Sequence, residues 1–295
     1  GVASLVRATI GDVTDFDAVN KAIANAAPDV VFHLAAQPLV QRGWADRRGT
    51  FASNVMGTVN VLEASLSSDM VRGVVCVTTD KVYENNESGV PFKEGDRLGG
   101  HDPYSASKAA AELAMRPYRS PQHMGLHEAP VVSARAGNVI GGGDWSAGRL
   151  IPDIARALQA GENVTLRRPD AVRPWQHVLD AAHGYLLIGA AMLNGTPLAP
   201  AYNFAHDGDA ATVLEVTRAV VRHWCEPDGR IVIEPEDNAK EAGLLTLDAS
   251  LARADLGWRP AWSLDQSVEE TVRFYRDPTV GGDQLHEHMA ITGAQ

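Results

Sequence analysis

Tyr104, Ser105, Ala106, Ser107 and Lys108 form a Y-x-x-x-K pattern in a stretch rich in Ala, Lys and Glu. Helical spacing puts residues four apart on one face. An ammonium there stabilises a tyrosinate and lowers a phenol pKa that is ordinarily about 10, making Tyr104 a base for a substrate hydroxyl. Taken singly, the pattern also describes a solvated helix with an incidental pair. A second polar run, Thr79-Asp80-Lys81-Val82-Tyr83, follows the apolar residues 74–78. Ligands of open α/β sheets gather beyond the strand C-termini. A hydroxyl, a carboxylate and an amine there form an acid/base set, with a plain polar turn as the alternative. In a third segment, Phe32-His33-Leu34-Ala35-Ala36-Gln37, the paired alanines suit either a flat cofactor or a tight helix–strand contact. His33 reads as a structural histidine. No His/Asp/Glu spacing suggests a metal.

These groups need elements to hold them. Residues 5–10 read as a short strand ending at Gly11-Asp12. Thr14 with Asp17 gives an S/T-x-x-D/E helix start. Val19, Ala22, Ile23 and Ala26 follow at helical spacing, and Pro28 closes that helix. Residues 30–34 are a continuous apolar run, as a buried parallel strand requires. A helix is predicted over 50–65, a strand over 74–78, a helix over 103–115 and a strand over 131–134. This alternation predicts an α/β fold with a doubly wound parallel sheet. After Gly141 the rhythm loosens. Helices are predicted over 151–160, stopped by Gly161, and over 177–193 and 212–225; another starts at Ser263 with Gln266 in capping-box form. The division expected is a first domain over 1–140 and a smaller mixed α/β domain over 141–295, with segments around 171–204 returning to the first.

The chain has 295 residues, 45% hydrophobic and 21% charged, enough for a sizeable core, and a formal net charge of -11. That charge argues against a nucleic-acid partner, because phosphate backbones need a basic face. Cys76 and Cys225 are too few for a disulfide framework. No apolar run reaches the ~18 residues of a membrane span, and the N-terminus lacks a signal-peptide pattern, so a cytoplasmic protein is expected.

Several longer stretches carry a resemblance: HLAAQPLV (33–40), NVMGTVNVLEA (54–64), TTDKVY (78–83), DPYSASK (102–108), RAGNVIGGGDW (135–145), RLIPDI (149–154) and RPWQHV (173–178). The chain resembles the extended short-chain dehydrogenase/reductases acting on nucleotide sugars, closest to their CDP-glucose 4,6-dehydratase branch. Y-x-x-x-K marks only the superfamily, whereas GGGDW with RPWQHV narrows it.

The resemblance implies a Rossmann-type NAD-binding domain over 1–140 and a nucleoside-diphosphate sugar as substrate. Asp12, Leu34, Ala35, Ala36, Gln37, Asn54, Tyr104 and Lys108 would hold NAD. Tyr104 would be the base on the sugar 4-hydroxyl, tuned by Lys108, and Thr79 would bond the same hydroxyl. NAD would take the C4 hydride and return it to C6. Asp80 would protonate the departing 6-hydroxyl. Lys81 stands where most related dehydratases have a glutamate; it would be the C5 base if neutral or an enolate stabiliser if charged. Asn138, Arg149, Leu150, Arg173 and His177 would contact substrate, the arginines by bidentate forks on the diphosphate. The alternative for Arg173 is a surface pair with Asp170 or Asp180. A homodimer or higher homo-oligomer is expected.

Two departures stand out. The G-x-x-G-x-x-G turn that cradles the NAD diphosphate is absent from the sequence. The expectation is that roughly 50 residues, about two βα units, precede this start, and that strands 5–10 and 30–34 lose neighbours without them. In residues 239–245, Lys, Gly and Leu replace the His and Tyr that the resemblance expects beside Glu-Ala, in a region that would touch nucleotide or sugar. Competing functions are a nucleotide-sugar 4-epimerase, which needs no acid at Asp80, and a non-catalytic nucleotide-sugar binder.

Overall fold

The computed structural model describes residues 5–120, 125–206, 210–234 and 243–293. In chain order the elements are α1 (Phe16–Ala26), β1 (Val30–His33), α2 (Val40–Ala45), α3 (Arg47–Phe51), a π-helical turn (Ala52–Met56), α4 (Gly57–Leu66), β2 (Gly73–Val77), a 3₁₀ turn (Asp80–Val82), α5 (Pro103–Met115), β3 (Val131–Ala136) and β4 (Asn138–Ile140). Then come α6 (Leu150–Gln159), β5 (Val164–Leu166), β6 (Val172–Arg173), β7 (Trp175–His177), α7 (Val178–Leu193), β8 (Ala201–Phe204), β9 (Ala211–Thr212), α8 (Val213–His223), β10 (Ile231–Ile233), α9 (Ser250–Leu256), α10 (Leu264–Arg276) and α11 (Gly281–Thr292).

The chain forms two compact units. One comprises Gly1–Glu84, Arg97–Ala134 and Ile188–Ala201; the other comprises Asn85–Asp96, Arg135–Leu187 and Tyr202–Gln295. The segment returning to the first unit is therefore 188–201, shorter than the 171–204 read from sequence. Residues 85–96 leave the first unit because Phe92 bridges to Leu247 and Arg135 bonds the Glu94 carbonyl.

In the first unit β1, β2 and β3 pair in parallel, with Val75 opposite Phe32 and Val132. The sheet order is β1-β2-β3-β8, a Rossmann-type α/β arrangement. β2 is buried along nearly its whole length, as its unbroken GVVCV run demands. β1 departs from the expected buried strand. It stands at the end of the sheet order, and Phe32 and Leu34 are exposed. Residues 5–10 form no strand; they are exposed coil, with Leu5 and Ile10 open to solvent. The first helix starts at Asp15 rather than Thr14: Asp15 accepts the Ala18 N–H, while the Thr14 hydroxyl donates to Asp12. Leu62, Leu66, Val71, Val74, Cys76, Met115 and Val131 make the core under this sheet.

The second unit is built on β4–β7 and β5–β10 parallel pairs and a β6–β9 antiparallel pair. Its core joins Ile140, Ile154, Leu158, Trp175, Val220, Val272 and Tyr275. Capping boxes at Thr212/Glu215 and Ser263/Gln266 start α8 and α10. Among the described residues, no helix is long and apolar enough to cross a membrane, and no acidic, His or Cys cluster could hold a metal ion.

Candidate active site

Helix α5 begins where Asp102 accepts the N–H groups of Tyr104 and Ser105 at 2.9 and 3.0 Å, with Pro103 at its first position. Tyr104 therefore sits in the first turn, its backbone N–H held by the cap. Helix α2 crosses here, and a Cβ on Gly43 would come within 3.3 Å of the Tyr104 nitrogen. One turn on, Lys108 is buried and its Nζ donates to the Val77 carbonyl at 3.0 Å. Burial pulls the Lys108 pKa down to about 8, against the opposing pull of Cys76 and Glu112. One of its three N–H groups is taken by Val77.

The strand β2 ends just before Thr78-Thr79. Thr79 caps the 3₁₀ turn, accepting the Lys81 N–H at 3.3 Å, and its hydroxyl donates to Asp80 Oδ1 at 2.9 Å. Thr79 and Asp80 are both buried, and Lys81 is half-buried. Thr79, Asp80, Tyr104 and Lys108 thus lie in the same unit.

Behind them runs a buried polar network. Gln37 N–H donates to Asn54 Oδ1 at 2.8 Å, and Asn54 Nδ2 donates to the Gln37 carbonyl at 3.1 Å and to Ser107 Oγ at 2.8 Å. Ser107 in turn donates to the Tyr104 carbonyl. Asn54 is 1% exposed and lies in the π-turn, a distortion common at functional sites. Both Nδ2 protons are used on Gln37 and Ser107 and Oδ1 accepts the Gln37 N–H, so Asn54 braces these two segments against each other. Ser107 went unremarked in the sequence although it stands inside Y-x-x-x-K. His33 is a structural histidine as expected. Thr58 gives its proton to the Asn54 carbonyl, so His33 Nε2 donates to Thr58 Oγ at 3.0 Å; burial holds the ring pKa down at about 4. Leu34 and Ala35 are exposed, Ala36 is half-buried and Gln37 is buried. Asp12 is exposed, and hydrogen bonds from the Thr14 backbone and hydroxyl lower its pKa.

The second unit holds the residues expected at substrate. Asn138 lies in β4 opposite Trp175, its N–H on the Pro174 carbonyl at 3.0 Å. β4 and β7 approach so closely that a Cβ on Gly137 would meet the Pro174 carbonyl at 2.3 Å. Arg149 caps α6 and pairs with Asp144 at 3.4 Å, both more than a third exposed, so that pair is worth little. Leu150 opens α6 half-buried. Arg173 is buried, and its NH1 donates to the Val172 carbonyl at 2.8 Å and the Gly243 carbonyl at 3.2 Å. It is no surface charge, and Asp180 is engaged by His288 and the Ala261 N–H. His177 ends β7, 2% exposed and edge-on to Trp262 at 4.6 Å, with its pKa held at about 4 by burial. Its Nδ1 accepts the Leu179 N–H at 3.3 Å, and its buried Nε2 has no hydrogen-bond partner among the described residues. Of the segment 239–245, residues 239–242 lie outside the described residues.

The profile described as GDP-mannose 4,6 dehydratase matches residues 3–271. The chain belongs to the GDP-mannose 4,6 dehydratase family. Within this family it is 38% identical to the CDP-glucose 4,6-dehydratase of Salmonella typhimurium over 95% of this chain and 80% of that one. It is 30% identical to a dTDP-glucose 4,6-dehydratase of an Actinoplanes species over 90% of this chain and 78% of that one. Its fold is similar to that of a Streptomyces venezuelae dTDP-glucose 4,6-dehydratase solved with NAD bound (TM-score 0.79, 27% identity, 90% of this chain and 78% of that one). It is also similar to a Thermus thermophilus UDP-glucose 4-epimerase complexed with NAD (TM-score 0.78, 26% identity, 90% of this chain and 84% of that one).

Proposed function

We propose that this protein is an NAD-dependent lyase that dehydrates a nucleoside-diphosphate hexose, CDP-glucose, to the 4-keto-6-deoxy sugar. The observation carrying this reading is the buried Asp80 carboxyl, next to Thr79 at the end of β2. A 4-epimerase needs no acid to expel water, so Asp80 favours the lyase over that alternative.

The residues present fit the ribose half of NAD. Lys108 has two N–H groups beyond the one on Val77, which suit ribose hydroxyls, and the small Ala35 and Ala36 leave room for a flat ring. Asp12 offers an exposed carboxylate for the adenine end. NAD, when bound, supplies reversible hydride transfer. Tyr104, as phenolate, takes the proton of the sugar 4-hydroxyl, and the Lys108 ammonium stabilises that phenolate. The one proton of the 4-hydroxyl goes to Tyr104, so Thr79 bonds the same oxygen as a donor, turning its hydroxyl proton from Asp80 to the sugar O4. Once C4 is a ketone the C5 proton is acidic, and Lys81 faces that step as base when neutral or as a stabilising cation when charged. Asp80 hands a proton to the 6-hydroxyl, so the leaving group is water. In the second unit Arg173 and Arg149 take the diphosphate oxygens and Asn138 the sugar.

Asp80→Asn tests the reading. Supplied with NAD and CDP-glucose, the variant is expected to oxidise C4 and stall, building up NADH absorbance with no release of the 4-keto-6-deoxy product. Product release at the native rate would remove Asp80 from water loss.

A further inference from the structure

Glu112 on α5 is 1% exposed, and a carboxylate is rarely buried so deeply without a reason. It stands four residues after Lys108 and eight after Tyr104, so all three share one helix face. Its Oε1 accepts the Thr78 hydroxyl at 2.7 Å. One residue earlier in the strand, the Val77 carbonyl accepts Lys108 Nζ at 3.0 Å. Two side chains a helical turn apart thus grip two consecutive residues where β2 gives way to the turn. From the other side, the Thr78 N–H donates to the Ala134 carbonyl of β3 at 2.8 Å. The next two residues are Thr79 and Asp80.

We infer that Glu112 is a positioning residue that, through Thr78, locks the Thr79–Asp80 turn to the helix carrying Tyr104 and Lys108. The Val77 carbonyl and the Thr78 N–H hold the strand end through backbone atoms; the Glu112–Thr78 bond adds a side-chain tie from α5 to the residue next to Thr79. Displacing a reacting group by ~1 Å costs on the order of 10² in rate. The carboxylate has a second effect. The groups that act on the Lys108 ammonium are Glu112 on its own helix, Cys76 on β2 and His33 on β1; Tyr104 stands one turn before it, and Asp80 and Lys81 lie in the turn packed against α5. Glu112 opposes the loss of charge that burial imposes on Lys108.

Three variants separate the two effects. Glu112→Gln keeps an acceptor for Thr78 but removes the charge, Glu112→Leu removes both, and Thr78→Val removes the donor. In the unliganded protein, amide hydrogen exchange at Lys81 and Val82 is expected to quicken in Glu112→Leu and Thr78→Val and to stay near native in Glu112→Gln. With NAD and CDP-glucose, Glu112→Leu is expected to lose about tenfold or more in kcat at unchanged KM. The Thr78→Val/Glu112→Leu pair should be no worse than the more damaged single variant. Glu112→Gln should move the alkaline limb of the pH profile to lower pH. Should Glu112→Leu fail to fold, the near-isosteric Thr78→Val and Glu112→Gln decide alone. Native exchange in Thr78→Val, or losses that multiply in the double variant, overturns the inference. The kinetic readouts rest on the dehydratase reading and the exchange readout does not. A wild-type protein inert towards CDP-glucose therefore defeats that reading and leaves the clamp to be judged by exchange.

Discussion

Arg173 carries the sharpest binding expectation of any single side chain. It is 5% exposed, and its short tether through Pro174 presents the guanidinium at low entropic cost. Removing a charge-assisted contact from such a desolvated position weakens binding by roughly 2–5 kcal/mol. Arg173→Ala is therefore expected to lose affinity for CDP and UDP alike in isothermal titration, because a diphosphate contact does not read the base. Near-native affinity for both would leave Arg173 as an anchor for the Gly243 backbone. At this scale the groups proposed as acid and base could be picked out in the sequence, because Tyr104 with Lys108 and Thr79 with Asp80 are each close along the chain. Their supports could not. Asn54 meets Ser107 across 53 residues and Thr78 meets Glu112 across 34, and only folding brings such pairs together. Glu112 did leave a trace, since it repeats the four-residue spacing of Tyr104 and Lys108.

Start signals placed some helices to the residue and missed the first, whose cap is Asp15 where Thr14 was expected. α5 spans 103–115 as expected, its start defined by Asp102 and Pro103, and the capping box of α10 was read as the pair Ser263 and Gln266; the Thr212/Glu215 box of α8 was not singled out. Where tertiary contacts decide, pattern failed. Residues 5–10 have strand composition but no ladder partner among the described residues, and backbone groups without a ladder do not make a strand. The helix expected over 50–65 begins earlier, at Arg47, and is interrupted by the π-turn that swings Asn54 towards Gln37 and Ser107. Helical periodicity alone carries no sign of that distortion. α2, α9 and α11 also went unread; α2 and α9 are short.

Each of the two units buries a neutral histidine, and this couples the whole molecule to pH. Burial depresses His33 in the first unit and His177 in the second from the ordinary 6.5 to about 4. The unfolded chain binds protons at these positions below about 6.5 while the folded one does not. Their stabilising contribution is therefore complete above that value and drains away as pH falls towards 4, by up to ~3 kcal/mol for each histidine. Urea melts between pH 7 and pH 4 are expected to show falling midpoints, and His33→Gln should flatten the trend; a pH-independent midpoint would contradict both assignments. The activity of the molecule as a dehydratase is tested most directly by turnover of CDP-glucose deuterated at C4 in the presence of NAD. The expected product is the 4-keto-6-deoxy sugar nucleotide, lighter by one water and carrying the deuterium at C6. Conversion to the C4 epimer without loss of water, or no conversion at all, would contradict it.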